Sequence, residues 1–337
     1  MVDETMDNRK THRARQKGAA LVIVLMLIAT LSFIVLSLAQ HTALAAQRGH
    51  NANTRHEFLW LAFGAEAYGV AAIEAAVEAG DGRMTLQSPL LANIFDVPLA
   101  EGVSEIRVSD HTGCFNVNSL VRAGPNGATT VNRDAKAEFM ALAEALNVSK
   151  GKAIEITSAM IDWIDTDQRT ELGGAEDGLY TALPLPYRTG GVPIADISEI
   201  RAMKGVSKET FGLLQPFICA LPPDAPSRIN VNLLTTDHAP LLVSLLRGKI
   251  STIDALNIIE ARPADGFITE QDFLNAVESR TGASTKDIRD RVSLTSDFFT
   301  LLAKLNLEGA QFYLSTVVAI DGNGQASILS RRFGESL

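Results

Sequence analysis

The feature that most constrains this chain is an uncharged run near its N-terminus, in which no residue from Gly18 to Gln40 carries a charge. The segment ALVIVLMLIATLSFIVLSLA lies within it. About 20 apolar residues, rising about 1.5 Å each, cover the roughly 30 Å hydrocarbon core of a bilayer. We therefore expect a membrane-spanning helix, which restricts everything after it to one side of a membrane.

The charges that flank this run predict its orientation. The first charged residue after it is Arg48, whereas its N-terminal flank is basic. The basic residues of that flank are Arg9, Lys10, Arg13, Arg15 and Lys17. Because basic flanks stay in the cytoplasm, we expect a single-pass protein of the inner membrane, with its N-terminus cytoplasmic and its bulk periplasmic.

The flank meets the run at RQKG followed by AALVIVL. A plain anchor needs no particular residue at this edge, and a secretory signal has a shorter apolar region of about 7–15 residues. Basic residues, a glycine and a long apolar helix resemble the type IV prepilin signal. That resemblance implies a leader over residues 1–18, cut between Gly18 and Ala19 by a prepilin peptidase. Most prepilins carry Glu at the fifth mature position, which here is Ile23, and a plain anchor remains the alternative.

The helical pattern continues beyond the membrane segment. Residues 41–80 contain no proline, carry apolar residues at helical spacing, and end at the turn signal Gly80-Asp81-Gly82. We expect one continuous transmembrane and spine helix over residues 19–80, with its apolar stripe packed against a sheet.

The remaining segments predict an α+β fold. Alternating residues within 96–109 and three runs near the C-terminus are typical of strands, whereas the residues between them show helical patterns. We expect a type IV pilin-like long N-terminal helix and a small antiparallel sheet, interrupted by a large inserted all-α domain. The expected segments are 81–112 for the first part of the pilin-like domain, 113–290 for the inserted domain, and 291–337 for the strands that complete the sheet.

The inserted domain contains an imperfect internal repeat. GCFNVNSLV and RINVNLLTT share an N-V-N-x-L core, and each precedes a helical segment. We expect two related helical lobes, about 113–222 and 228–290. Asparagines commonly cap helices or close turns, which is the role we expect for Asn116, Asn118, Asn230 and Asn232.

Charge and motifs exclude several function classes. The net charge of -9 argues against broad nucleic-acid binding, which needs a basic surface. The sequence contains no G-x-S-x-G, H-E-x-x-H or phosphate-binding G-x-x-x-x-G-K motif, so we do not expect an enzyme. Cys114 and Cys219 lie at the edges of the first lobe in a domain expected to face an oxidising compartment, which favours a disulfide between them.

The densest oxygen cluster follows the helix that contains Trp163, in DWIDTDQRTELGGAED. Ca²⁺ takes six to eight hard oxygen ligands. We do not expect an EF-hand, because Arg169 and Thr170 would stand where that loop needs a ligand and a glycine. A different calcium loop and a solvated acidic loop remain open. The candidate ligands are Asp165, Asp167, Glu171, Glu176 and Asp177.

The segment ISEIRAMKGVSKETFGLLQPFI offers a different class of function. A helix, a Gly-Val turn and a second helix look like the helix-hairpin-helix that presents backbone N–H groups to DNA phosphates. The turn lacks Gly-x-Gly and few basic residues surround it. We interpret Gly205 as a packing turn and expect no nucleic-acid partner, with an anchored DNA-binding protein as the alternative.

Taken in order, five segments resemble the general secretion pathway protein K family, the large minor pseudopilin of type II secretion. They are RQKGAALVIVLMLIATLSFIVLSLA, GCFNVNSLV, IDWIDTDQRTELGGAEDGLY, LPYRTGGVPIADISEIRAMKGVSKETFGLLQPFICALP and INVNLLTT. The resemblance implies a subunit that caps and initiates the pseudopilus tip for the export of folded proteins. Implied partners are minor pseudopilins I and J and the pseudopilus shaft. The resemblance also implies calcium sites in the acidic loop. Members of the family typically lack the fifth-position Glu, and this chain has Ile23 at that position. A minor pilin of a type IV pilus or competence system is the alternative.

Overall fold

The structure is a computed structural model. It describes residues 21–80, 82–98, 103–124, 128–225, 228–306 and 311–334 in full, and the backbone alone of 4–20, 99, 102, 307 and 310. The processing site predicted at Gly18 and Ala19 lies outside the fully described residues. The chain divides into two compact units, Met1–Leu61 and Ala62–Leu337.

The long N-terminal helix expected from the sequence is present as α1 (Glu4–Ala79). Its described part, Leu21–Ala79, is long and apolar enough to cross a membrane. The helix ends where the backbone N–H groups of Gly80 and Gly82 donate to the carbonyls of Ala76 and Val77. Gly82 has a φ of +76°, a left-handed conformation that glycine adopts without steric cost.

A five-stranded antiparallel sheet belongs to the second unit. Its strands, in their order across the sheet, are β1 (Ile94–Leu99), β2 (Gly102–Asp110), β9 (Phe298–Leu307), β10 (Ala310–Ile320) and β11 (Ala326–Phe333). The last turns of α1 lie on one face of this sheet. A Cβ on Gly69 would lie 2.1 Å from the Leu301 side chain, so the close approach of helix and sheet requires a glycine. The expected α+β fold is confirmed.

Most of the regular secondary structure between β2 and β9 is helical. Its α-helices are α3 (Arg133–Ala145), α4 (Lys150–Ile164), α5 (Asp177–Tyr180), α6 (Lys208–Leu214), α7 (Ala239–Leu245), α8 (Thr252–Glu260) and α9 (Glu270–Thr281), with α2 (Pro89–Ala92) preceding the sheet. Short strands are β3 (Phe115–Asn116), β4 (Val121–Ala123), β5 (Thr129–Val131), β6 (Ile218–Cys219), β7 (Ile229–Asn230) and β8 (Val292–Ser293). Because β8 pairs with β7, the inserted domain extends slightly past residue 290.

The inserted domain consists of two copies of one arrangement of short strands and helices, which we call the frame. In each copy a short strand at the start pairs in parallel with a short strand at the end, β3 with β6 and β7 with β8. Each copy also ends in a helical hairpin whose first helix begins at a capping box, at Asp196 in one copy and Thr269 in the other. The first hairpin is Ile197–Ala202 with α6, and the second is α9 with Lys286–Arg291. Buried residues of both copies form one hydrophobic core.

The repeated asparagines make the same hydrogen bonds in both copies. The Asn116 side chain accepts from the N–H of Asn118 at 3.1 Å. The Asn118 amide then accepts from the Ile194 N–H at 2.8 Å and donates to the Ile194 carbonyl at 2.9 Å. In the second copy the equivalent bonds join Asn230 with Asn232, and Asn232 with the N–H and carbonyl of Phe267. These side chains therefore close turns that tie each strand to its hairpin.

The first copy is closed at its base by a disulfide between Cys114 and Cys219, whose Cα atoms are 5.8 Å apart. Cys219 packs with Leu221 and with Phe298 of the sheet. The insertion is also attached to the rest of the chain by hydrogen bonds. The Asn230 side chain donates to the carbonyl of Met84, which precedes the sheet, and to the carbonyl of Leu294, which follows β8. The disulfide thus lies where the inserted domain meets the sheet.

Candidate metal centre

Three carboxyl groups meet at the end of α4. Asp162 and Asp165 are one turn apart, so helical geometry puts them on the same face. The chain then leaves the helix and returns with Glu176. One oxygen from each of the three carboxylates lies within 4.8 Å of the others, and all three residues are buried.

Most of the oxygens in this cluster lack a hydrogen-bond partner. Within the described parts of the chain, no donor reaches Asp162 Oδ2, Asp165 Oδ1 or either carboxylate oxygen of Glu176. Buried polar atoms are rarely left unpaired, and each such atom costs about 1–3 kcal/mol, more when charged. The cluster therefore offers several buried carboxylate oxygens that no donor from the described chain satisfies, which is the arrangement expected where a cation could bind.

Burial and mutual repulsion both disfavour ionisation of these groups. Burial, together with the neighbouring charges of Asp167 and Asp162, raises the pKa of Asp165 to about 7. Burial and, after it, repulsion from Asp165 raise the pKa of Glu176 to about 7. The pKa of Asp162 is also raised, mainly by burial. A divalent cation would offset this repulsion, and an all-carboxylate donor set suits a hard cation such as Ca²⁺.

Two glycines fold the returning chain tightly over Asp162. Gly173 has a φ of +89°, and a Cβ on Gly174 would lie 2.0 Å from Asp162 Oδ2. The other oxygen of Asp162 accepts from the Glu171 N–H at 2.9 Å. Lys204 Nζ donates to the carbonyls of both glycines at 3.1 Å. Gly174 is therefore required by the close approach of the loop to Asp162, and Gly173 is favoured by its left-handed backbone conformation.

The five acidic residues expected from the sequence have different surroundings. Asp165 and Glu176 belong to the cluster described above. Asp167 accepts from the Arg169 N–H at 2.7 Å, and Glu171 pairs with Lys136 Nζ at 3.0 Å. One oxygen of Asp177 accepts from both the N–H and the hydroxyl of Thr189. The structure thus brings two of the five together and directs the other three to protein partners.

Sequence reasoning missed Asp162, which lies fully buried inside an apolar helix. The signal was present, because an aspartate flanked by Ile161 and Trp163 and spaced three residues before Asp165 is expected to share its helix face. An aspartate is almost never fully buried without a partner. Burial at this position is therefore itself an indication of a site.

The turn that resembled a DNA-binding hairpin lies against an acidic side chain. Gly205 has a φ of +82°, and a Cβ there would lie 2.8 Å from the Glu155 carboxylate. A carboxylate at this turn repels phosphate, and the close contact explains why the position is a glycine. The packing interpretation of Gly205 agrees with this geometry.

Family comparison connects these observations to known proteins. Two family models, each described as "Type II secretion system (T2SS), protein K", match the chain over residues 113–223 and 229–295. These ranges coincide with the two copies of the repeated frame.

Similarity to individual relatives extends over nearly the whole chain. The type II secretion system protein K of Pectobacterium carotovorum subsp. carotovorum is 30% identical over 327 residues, which covers 96% of this chain and 98% of that protein. The protein K of Klebsiella pneumoniae is 26% identical, covering 95% of this chain and 97% of that protein.

A solved structure has the same fold. It is the GspK-GspI-GspJ complex from the type 2 secretion system of enterotoxigenic Escherichia coli, matched with a TM-score of 0.73 and 26% identity. The match covers 86% of this chain and 100% of that one. The likeness therefore includes the helical insertion as well as the sheet.

Proposed function

Because the chain belongs to the type II secretion system protein K family and is a minor pseudopilin, we propose that it initiates and caps the tip of the pseudopilus. The observation that carries this proposal is the match of 96% of the chain to a protein K relative. The role is structural: the subunit contributes to the export of folded proteins from the periplasm by assembly, without catalysis.

The residue at the fifth mature position supports a place at the tip. In a pilin stack a glutamate there pairs with the N-terminal amine of the neighbouring subunit inside the bilayer. A buried charge without its partner costs several kcal/mol. The first subunit of a filament has no neighbour above it, so an apolar residue such as Ile23 is the favourable one.

The inserted domain supports the same place. It adds the whole segment between β2 and β9 to a pilin-like sheet. A domain of this size would obstruct a copy stacked above it, whereas the end of a filament leaves it room. A shaft subunit made of α1 and the sheet alone would not meet this obstruction.

We propose minor pseudopilins I and J as the direct partners, by analogy with the GspK-GspI-GspJ complex named for the structural neighbour. The complex of this subunit with I and J would then lie at the end of the shaft. Co-purification of the full chain in detergent with each candidate partner tests this proposal. Recovery of a ternary complex supports it, and failure of both partners to bind contradicts it.

We propose that a prepilin peptidase removes residues 1–18 and leaves the mature chain in the inner membrane with its bulk in the periplasm. N-terminal sequencing of the membrane-bound form tests this directly. The expected first residue is Ala19. An intact leader, or a cut beyond the apolar run, would contradict assignment to the pilin processing pathway.

We propose that the carboxylate cluster holds a structural Ca²⁺. Asp162, Asp165 and Glu176 would hold the ion, with Asp167, Glu171 and Asp177 adding negative charge around it. The ion would supply the positive charge that these unpaired oxygens lack. Its role would be to fix the acidic loop, since the family has a structural function.

A melting series tests the calcium proposal. An ion that binds only the folded protein raises stability by about 2.7 kcal/mol at a hundredfold excess over its dissociation constant. The melting temperature of the full chain should rise with added Ca²⁺ and fall again with chelator. A melting temperature that stays constant across the series would mean that the loop is a solvated acidic loop.

A further inference from the structure

The segment from Glu171 to Val192, which we call the strap, belongs to the first copy of the frame alone. Equivalent landmarks in the two copies differ in spacing: 76 residues separate Asn118 from Ile194, but 35 separate Asn232 from Phe267. In the second copy the chain passes from α8 to Phe267 through a short turn. Among the described residues, the second copy therefore has the frame without a strap and without a carboxylate cluster.

The strap is attached to the first helical hairpin by hydrogen bonds. The Tyr187 hydroxyl donates to the Ala202 carbonyl at 2.6 Å, and the Tyr180 hydroxyl accepts from the Lys204 N–H at 3.1 Å. The Lys204 ammonium binds the strap near its start, at Gly173 and Gly174. Two tyrosines and one lysine thus connect the strap to the end of the hairpin's first helix.

The strap also covers Trp163 at the end of α4. The Trp163 ring contacts Tyr180 and Tyr187, with centroids 5.6 and 6.3 Å away. Its indole N–H donates to Glu199 of the hairpin at 3.3 Å. Trp163 is only 7% exposed, so displacement of the strap would bring it into contact with water.

The same strap contributes to the carboxylate cluster. Glu176 lies four residues before Tyr180, and its two carboxylate oxygens have no hydrogen-bond donor among the described residues. Its nearest charged neighbours in the cluster are other carboxylates. Without a cation, this end of the strap is therefore repelled by the helix that it must approach.

We propose that a bound cation fastens the strap across the first helical hairpin and over Trp163, whereas the two-copy frame folds without it. This inference rests on the proposed calcium site and assigns that site a consequence. Cation removal releases the strap and exposes Trp163. It leaves the helices of both copies in place, because the second copy needs neither strap nor ion.

The test uses the full chain in detergent with Trp60→Phe, because the chain has two tryptophans and Trp163 must be the one observed. Emission of Trp163, trypsin cleavage after Arg188 and far-UV circular dichroism are recorded with Ca²⁺ and with chelator. Arg188 is exposed within the strap. Fragments are read after reduction, because the disulfide between Cys114 and Cys219 otherwise holds them together.

We expect chelator to shift Trp163 emission to the red and to speed cleavage at Arg188 by about tenfold or more, because cleavage follows local opening. Helical circular dichroism should stay constant. Asp165→Asn should abolish the response of emission and cleavage to Ca²⁺, because it removes both a ligand and one of the repelling charges. Asp265→Asn is the matched control, since this exposed aspartate lies in the short turn of the second copy, and it should behave as the parent.

A second pair of variants examines the attachment without altering the cluster. Lys204→Met removes the bonds to Gly173 and Gly174 and should raise the cleavage rate in the presence of Ca²⁺. Lys208→Met changes an exposed lysine of the same hairpin and should leave the rate unchanged. Both variants retain every carboxylate of the cluster.

The outcomes separate this inference from the calcium proposal. Calorimetry that detects Ca²⁺ binding, together with unchanged emission and cleavage, would overturn the strap inference and leave the calcium site standing. Loss of helical circular dichroism on chelation would overturn the claim that the frame is independent. Absence of any Ca²⁺ binding would overturn both.

Discussion

At the residue scale, the carboxylate cluster differs from a packed interior in its unpaired acceptors. Asp162, Asp165 and Glu176 are buried together with unpaired oxygens. Spacing in the sequence identified Asp165 and Glu176, because both lie in a visibly acidic loop. It did not identify Asp162, whose importance depends on burial that only packing creates. It also did not indicate that Asp177 would bind Thr189.

The first prediction concerns Asp162→Asn. The amide keeps an oxygen to accept from the Glu171 N–H but removes one of the mutually repelling charges. At pH 8, where the parent cluster is ionised at a cost, the variant without calcium should melt at a higher temperature than the parent. The gain on adding Ca²⁺ should be small or absent. Differential scanning calorimetry with and without chelator measures both effects, and Asp265→Asn is the control. A full calcium response in Asp162→Asn would exclude this residue from the site.

The second prediction concerns the disulfide. Cys114 and Cys219 are 105 residues apart in sequence, and closure of a loop of that length stabilises by about 4–5 kcal/mol in the chain-entropy account. The Cys114→Ser, Cys219→Ser double variant should therefore unfold at distinctly lower denaturant concentration. Thiol titration of the denatured, unreduced parent should find no free thiol. Two titratable thiols would contradict the bond.

At the element scale, repetition explains most of the inserted domain. The shared N-V-N-x-L motif predicted two related lobes, and the structure gives each the same strand pairing and the same asparagine bonds. The three C-terminal strands were also expected, because their alternation and the Asp321–Gly324 turn are local signals. Strand β1 was missed, since Pro98 lacks the N–H of a ladder donor and suggests a loop. One core shared by both copies was not predictable, because it depends on contacts distant in sequence.

The third prediction follows from that repetition. Asn118→Ala and Asn232→Ala each leave a buried backbone N–H and carbonyl without their partner, at Ile194 and Phe267 respectively. Each variant should lose about 1–3 kcal/mol of unfolding free energy, measured by denaturant titration. Asn257→Ala, on the exposed face of α8, is the control and should change little. If only one of the two substitutions lowered the unfolding free energy, the prediction that the two copies depend equally on this asparagine would be wrong.

At the scale of the whole molecule, a membrane helix, a pilin-like sheet and a large insertion belong to one chain of the protein K family. The sequence predicted this arrangement because the apolar run, the strands and the repeats are each continuous segments. It did not predict how the hairpins, strap and sheet contact one another. Those contacts join residues as far apart as Asp196 of the first hairpin and Arg332 of β11, whose side chains pair at 3.2 Å.

The fourth prediction concerns Ile23→Glu. A carboxylate at this position, with no amine to meet at the tip, carries the penalty of an unpaired charge in the bilayer. The variant should therefore initiate fewer pseudopili, counted in cells that overproduce the shaft subunit. Ile23→Leu is the matched control and should initiate normally. An increase in filament number with Ile23→Glu would contradict the tip argument.

The most direct test of the central claim is the position of this subunit in assembled pseudopili. Filaments sheared from cells are labelled with gold-conjugated antibodies against the inserted domain and imaged by electron microscopy. A subunit that initiates and caps the filament should appear as a single label at one end. Labels at regular intervals along the shaft would show instead that the subunit extends the filament, and would contradict the tip assignment.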